Sequence, residues 1–192
     1  MSVQASFFFC LHSLLNLTLI MKKLILSALI TSTILLSCTE QKTPIKKEVI
    51  STYYLIRHAE KDRSDATNKN PDLMQKGSER AIRWSEVFKN VPFDKVYTTD
   101  YNRTKQTATP TAKRKKLALS FYDPSALFDE AFQKVTNGKT VLVVGHSNTT
   151  PFFANNILGK EKYQQIDDHN NANLYIVTVT NNTKTGVLLK VD

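Results

Sequence analysis

Apolar and polar positions fall into blocks along this chain, and from Ile50 onward the blocks alternate between strand-like and helix-like spacing. Tyr53 to Ile56 is a short apolar run, and the polar stretch from Lys61 to Asp72, rich in Asn, Asp and Lys, reads as a loop. Beyond it Gly77, Ala81, Trp84 and Phe88 recur at the spacing of one buried helical face, which the stretch from Asn90 to Pro92 ends. Phe93 to Thr98 predicts a second strand, Asp100 to Lys115 a helix that Pro110 is expected to bend, and Leu117 to Tyr122 a third strand. Phe128, Ala131, Phe132 and Val135 again share a helical face, closed by Asn137 and Gly138. Val141 to Val144 is an uninterrupted apolar run, as expected of a central strand covered on both faces, and Asn148 to Leu158 predicts the helix after it. Ala172 to Val179 and Thr185 to Val191 flank the polar residues Asn181 to Lys184 and predict a closing hairpin. The expected fold class is α/β: three layers, α/β/α, around a largely parallel sheet with a C-terminal hairpin.

The first 38 residues follow a different pattern. Met21-Lys22-Lys23 supplies a positive start, Leu24 to Leu36 an apolar stretch, and Leu35-Leu36-Ser37-Cys38 a small-residue stop, which together read as a secretory signal. The cysteine directly after the small residue resembles the lipobox of bacterial lipoproteins. That resemblance implies a diacylated Cys38 as the first mature residue and an exported protein held in the bacterial cell envelope by a lipid anchor. Two other readings stay open, a plain signal with an incidental cysteine and a transmembrane anchor, since the uncharged stretch is long enough to span a bilayer. Residues 1–20 carry no charge, so Met21 is a second candidate initiator. Thr39 to Val49 is polar, holds Pro44 and several lysines, and is expected to be a tether ahead of a domain over residues 50–192.

Charge narrows the partners. The chain carries 26 Lys and Arg against 17 Asp and Glu, a net +9, and stays basic at +7 once Lys22 and Lys23 are removed with the leader. A surface of that sign concentrates anions such as phosphorylated molecules, nucleic acid or acidic lipid. The run Lys113-Arg114-Lys115-Lys116 invites a nucleic-acid reading, but it closes a helix, where cations suit the dipole, and no aromatic stacking platform accompanies it. Nucleic acid is therefore not an expected partner. Both cysteines, Cys10 and Cys38, precede the domain, which must rest on its core without a disulfide. The pattern does not specify an oligomeric state.

In sheets of this kind ligands bind outside the carboxyl ends of the strands, where helices begin and their free N–H groups favour anions. Arg57 and His58 follow the first strand there, His146 follows the run Val141 to Val144, and Arg103 sits in the first turn of the helix after Thr98. Two guanidiniums and two imidazoles suit a tetrahedral dianion, because planar Arg forks grip phosphate oxygens in pairs. One of the histidines can also attack phosphorus. No spacing of Asp, Glu or Cys completes a ligand set with the histidines, so neither metal nor other cofactor is expected. His169, among Asp167, Asp168, Asn170 and Asn171, reads as a solvated loop residue on a loop within reach of the pocket rim.

Three segments together resemble the histidine phosphatase superfamily, also called phosphoglycerate-mutase-like: Leu55-Ile56-Arg57-His58-Ala59-Glu60 its Arg-His-Gly signature, Tyr97 to Ala108 its second-arginine segment, and Val144 to Thr149 its second-histidine segment. Leu73, Gly77 and Ala81 fit its usual helix start. The resemblance implies that His58 is the nucleophile, forming a phosphohistidine that water hydrolyses, and that Arg57, Arg103 and His146 cradle the phosphoryl oxygens. It also implies chemistry without metal. Ala59 stands where the family usually has glycine, and the family's commonest proton donor, a glutamate after the third strand, is missing. Asp123 is the nearest counterpart, with Glu60, Asp129 and Glu130 as alternatives, and Asp123 fits a capping role equally well. Glu60 and Asn148 are candidates for substrate contact, Asn148 being as well suited to a helix cap. Only 42 residues lie between Arg103 and His146, filled by helix, strand and helix, so a small, lid-less branch with an open pocket is expected. An open pocket suits hydrolysis, because water reaches the phosphohistidine. The expected function is a metal-independent phosphomonoester hydrolase acting on a phosphorylated small molecule or protein side chain; a phosphoryl-transferring mutase and a non-catalytic phosphate-binding lipoprotein are the alternatives.

Overall fold

Strands β1 (Ser51–Arg57) and β4 (Thr140–Gly145) run parallel, side by side, in the middle of a six-stranded sheet. The computed structural model describes residues 21–22, 48–181 and 183–191; Cys38, the signal segment and most of the tether lie outside them. The remaining elements are α1 (Gln75–Val87), β2 (Lys95–Thr98), α2 (Asn102–Lys115), β3 (Leu119–Phe121), α3 (Glu130–Thr136), α4 (Thr149–Leu158), β5 (Asn173–Val179) and β6 (Lys184–Lys190). Across the sheet the order is β3-β2-β4-β1-β5-β6, with the first four strands parallel and β5 and β6 antiparallel. The expected mixed α/β architecture with a terminal hairpin is the one observed. Among the described residues no helix is long and apolar enough to cross a membrane.

Alternation along the strands divides the core in two. Tyr53, Leu55, Val141, Val143 and Tyr175 face α4 and Phe132 of α3, whereas Ile56, Val96, Leu142, Val144 and Leu174 face α1 and α2. Val141 to Val144 is buried throughout because both faces are covered, the reason its sequence shows no polar break. On α1 the predicted face of Gly77, Ala81 and Trp84 turns inward, and Trp84 stacks on Phe88 with ring centroids 5.4 Å apart. Gly77 has a positional reason. A Cβ there would lie 2.2 Å from the carbonyl oxygen of Glu60, so only glycine lets α1 begin directly beneath the segment leaving β1.

Three boundaries differ from the periodicity. Phe128 belongs to the expected apolar face but sits at φ 57° outside α3, because Asp129 caps that helix by accepting from Phe132 N at 2.7 Å. Its ring still packs edge-on against Tyr53, 5.6 Å away, so the apolar signal was real and the helical one was not. β2 starts at Lys95 rather than Phe93, since the Asp94 carboxylate accepts from Thr140 N at 2.8 Å and Asp94 N donates back to Thr140 O, closing the strand's beginning onto β4. Lys116, in the left-handed region at φ 57°, ends α2 and delays β3 to Leu119. The helix α2 runs unbroken through Pro110.

Candidate active site

Register brings the two histidines together. Arg57 pairs with Gly145 across β1 and β4, so His58 and His146 leave neighbouring strands at the same level, and His58 N donates to Gly145 O at 2.9 Å. Their rings lie 5.6 Å apart, centroid to centroid. Gly145 is held without a side chain: a Cβ there would meet Tyr122 Oη at 2.7 Å and the hydroxyls of Thr149 and Thr150 at 2.9 Å. On the other side of β4, Thr98 of β2 pairs with Val144, which carries Thr99 and the first turn of α2 to the same edge. Arg103 Nη2 accordingly reaches His146 Nδ1 at 3.5 Å, and its guanidinium lies 4.5 Å over the ring of Tyr101. Arg57, His58, Arg103 and His146 thus converge on one end of the sheet, as their positions in the sequence predicted.

Hydrogen bonds fix how each imidazole is protonated. His58 Nδ1 is 2.7 Å from the carbonyl oxygen of Ala59, which can only accept, so Nδ1 carries the proton and Nε2 keeps its lone pair. His146 is oriented the opposite way. Its Nδ1 faces the Arg103 donor, and its Nε2 lies 3.0 Å from Thr99 Oγ1, which lies 3.0 Å from Thr104 Oγ1; Thr104 in turn donates to the carbonyl of Thr99 or Tyr101, each 2.9 Å away. A chain that ends on carbonyls runs donor to acceptor in one direction only, so Nε2 of His146 is the protonated nitrogen. Burial, aided by the charges of Arg57 and Arg103 and only partly opposed by the bond to Ala59 O, pushes the His58 pKa down from 6.5 to about 3. Burial and the charges of Arg103, Arg57 and Lys61 lower that of His146 to about 4. Both rings are therefore neutral at pH 7.

Arg57 is 2% exposed, and its guanidinium is tied to the loop before β5. Nη1 donates to the carbonyls of Asp167 (2.9 Å) and Asn170 (3.1 Å), and Nη2 to the Asp168 carboxylate at 2.5 Å. Arg63 grips the other oxygen of Asp168 at 2.7 Å, and these bonds hold that carboxyl well below the usual carboxylate range. Asn171 adds a bond to His58 O at 2.8 Å, so this loop does reach the site. Nε of Arg57 and Nε of Arg103 are buried without an acceptor among the described residues, donor capacity that an oxyanion would satisfy. Beside His58 opens a cavity of about 580 Å³ whose wall includes Glu60, Lys61, Asp62, Arg63, Lys76 and Asp168.

The carboxylates considered as proton donors are engaged elsewhere. Asp123 is exposed and accepts from Ser125 N at 2.8 Å and Ser125 Oγ at 2.6 Å, bonds that lower its pKa and make it the cap of a turn. Asp129 caps α3, and Glu130 is exposed in the first turn of that helix. Glu60 lies on the cavity wall, but Arg80 Nε donates to both its oxygens, at 3.0 and 3.1 Å. Asn148 occupies the N-cap position of α4 with an exposed side chain that makes no capping bond. Thr149 takes the role nearest to it, accepting from His146 N at 3.0 Å. Sequence reasoning missed Thr99, Thr104 and Thr149, whose hydroxyls leave no periodic signal; Asp168 had one, the cluster of acids and amides before a strand.

Residues 53–124, which hold Arg57, His58 and Arg103, match the family profile described as histidine phosphatase superfamily (branch 1). Solved structures with this fold include a phosphoglycerate mutase from Bacillus anthracis, 15% identical with a TM-score of 0.58, covering 73% of this chain and 92% of that one. The protein histidine phosphatase SixA complexed with tungstate is 14% identical with a TM-score of 0.55 over 72% of this chain and 96% of its own. A mycobacterial glucosyl-3-phosphoglycerate phosphatase is 11% identical, TM-score 0.51, over 67% and 90%. No curated protein sequence matches the chain. The fold is thus phosphoglycerate-mutase-like. The family match itself extends over residues 53–124 of the chain.

The lowered histidine pKa values predict how stability depends on pH. Unfolded, each imidazole takes up a proton near 6.5; folded, only near 3 and 4. The unfolded chain binds more protons throughout that window, so stability falls as pH drops below 6.5. Urea midpoints in phosphate-free buffer should decline from pH 7 to pH 5, and His58→Asn should decline less; an undiminished decline in the variant contradicts the assignment.

Proposed function

We propose that the chain is a metal-independent phosphomonoester hydrolase that works through a phosphohistidine on His58. One observation carries this reading: His58 Nδ1 is bonded to Ala59 O in a buried neutral ring, which leaves Nε2 as a free nucleophile among Arg57, Arg103 and His146. In the first step the Nε2 lone pair forms a bond to phosphorus while the ester P–O bond breaks, and its electron pair leaves with the alcohol oxygen. Arg57 and Arg103 offset the charge on the phosphoryl oxygens, and Arg103 presents its Nη2 beside His146. In the second step water attacks the phosphohistidine, the P–N bond breaks, and His58 returns to the neutral ring.

Asp123 is not carried into this mechanism, because its carboxylate is held ionised in the Ser125 turn. The cavity carboxylates Glu60, Asp62 and Asp168 are each already accepting from Arg80, Ser64 N, or Arg57 and Arg63. The leaving group then takes its proton from water. That favours substrates whose leaving group departs readily, among them a phosphorylated imidazole side chain, which is the second reading. A segment of one strand, one turn and one seven-residue helix between α2 and β4 supports an open pocket in which water reaches the intermediate. Placement in the envelope, through a lipid on Cys38, rests on Leu35-Leu36-Ser37-Cys38.

Two outcomes test the reading. Protein quenched during turnover of p-nitrophenyl phosphate should carry acid-labile, base-stable phosphate on His58, and His58→Ala should reduce turnover to background. Hydrolysis of p-nitrophenyl phosphate should exceed that of glycerol phosphate by more than about 10²-fold, the factor a placed general acid would otherwise recover. Phosphate binding without hydrolysis of either ester would support a binding protein instead. Cys38→Ala should abolish palmitate labelling and release the protein from membranes; unchanged labelling would refute the anchor.

A further inference from the structure

We infer that the end of the domain opposite the two histidines docks on a bilayer of acidic phospholipids and so holds the site away from the membrane. The inference takes its membrane from the lipid-anchor reading of Cys38 and adds how the domain lies on it. It begins from where the excess charge sits. The helices run back from the site toward the amino ends of the parallel strands, so helix ends and strand starts share one edge of the domain. The helices finish in bases: Lys89 follows α1, Lys113 to Lys116 close α2, Lys134 lies in the last turn of α3, and Lys160 follows α4. Lys95 begins β2, Lys139 precedes β4, and Lys184 opens β6 opposite Val179, which itself pairs with Ser51. The same turns hold four acids, Glu48, Glu86, Asp94 and Glu161. Residues 48–192 carry 21 Lys and Arg and 16 Asp and Glu; ten of these bases and four of these acids stand at this edge, which leaves 11 against 12 elsewhere, so the basic excess of the domain is concentrated here.

Few of these bases are neutralised. Among the described residues only Arg114 of the ten has an ion pair, with Glu86, and the Asp94 carboxylate is turned to Thr140 N at 2.8 Å. Lys115 and Lys139 donate to the carbonyls of Lys89 and Val135, each at 2.7 Å, bonds that leave their charge unbalanced. The chain enters the domain within this surface: Gly138 N donates to Ser51 Oγ at 2.8 Å, and Thr52 N to Lys139 O at 2.9 Å. Val49, Ile50 and Val135, all exposed, add aliphatic side chains there. Nucleic acid offers such side chains no partner, whereas an acidic bilayer takes bases at its headgroups and aliphatic groups at the acyl boundary. Lys42, Lys46 and Lys47 lie in the sequence just ahead of that entry. With this edge on the headgroups, the seven residues of β1 lift Arg57 and His58 roughly 20 Å above them, open to water.

The full chain in bilayer nanodiscs tests this, with lysine acetylation rates read by mass spectrometry on discs of phosphatidylcholine alone and of an equal mixture with phosphatidylglycerol. On the mixed discs Lys89, Lys134 and Lys184 should react at least about fivefold more slowly, the gain one base makes at an anionic surface. Lys69 and Lys76, beside the site, should react equally on both. Raised salt should remove the difference. Lys113→Gln, Lys116→Gln and Lys160→Gln together should cut the protection by half or more at an unchanged thermal midpoint. Equal rates on both discs, slowing at Lys69 and Lys76 as well, or protection that survives the three substitutions overturns the inference. So does stronger protection by single-stranded RNA than by the mixed discs, which assigns the surface to nucleic acid. If the chain leaves the neutral discs yet shows the expected pattern on the mixed ones, the anchor reading falls and the docking stands.

Discussion

The in-register pairing of β1 with β4 is the constraint on which the rest of this structure depends. The middles of both strands are buried and apolar, and the two strands leave the sheet at the same level, with Arg57 opposite Gly145. A slip of one residue would turn every side chain of a strand to the other face and separate His58 from His146. The pairing also sets the electrostatics. Burying the Arg57 guanidinium would be costly without partners, and the carbonyls of Asp167 and Asn170 with the Asp168 carboxylate provide them. The loop before β5 is therefore tied to the site through an arginine that sits more than 100 residues earlier.

Much of this was legible in the sequence because burial is periodic. Gly77, Ala81, Trp84 and Phe88 mark the face of α1, the unbroken run Val141 to Val144 marks the central strand, and the β–α alternation says which strand ends share one edge of the sheet. From those facts alone Arg57, His58, Arg103 and His146 fall together. What periodicity does not encode is which polar groups find each other. Asp123 and Asp129 look alike as capping residues, and only the backbone shows that one closes a turn on Ser125 while the other starts α3. Phe128 carries a core signal with no helical conformation, and Thr99 and Thr104 read as ordinary strand and helix residues although they set the orientation of His146.

The site is thus rich in preset donors and poor in uncommitted acids. Two imidazoles are kept neutral by burial and by surrounding cations, and two buried guanidinium nitrogens lack acceptors among the described residues. An oxyanion arriving at such a site meets groups that need no rearrangement to receive it, the condition under which electrostatic stabilisation of phosphoryl transfer is most effective. The carboxylates nearby serve structure: Glu60 anchors Arg80 beside the start of α1, and Asp168 joins Arg57 to Arg63.

The central claim is that one histidine offers an unprotonated Nε2 while the other is locked the opposite way. Nitrogen-15 NMR of the imidazoles in histidine-labelled protein, at neutral pH in phosphate-free buffer, measures this most directly. Two neutral rings of opposite tautomer are expected, Nδ1–H for His58 and Nε2–H for His146. A His58 ring protonated at Nε2, or an imidazolium at either position, would contradict it.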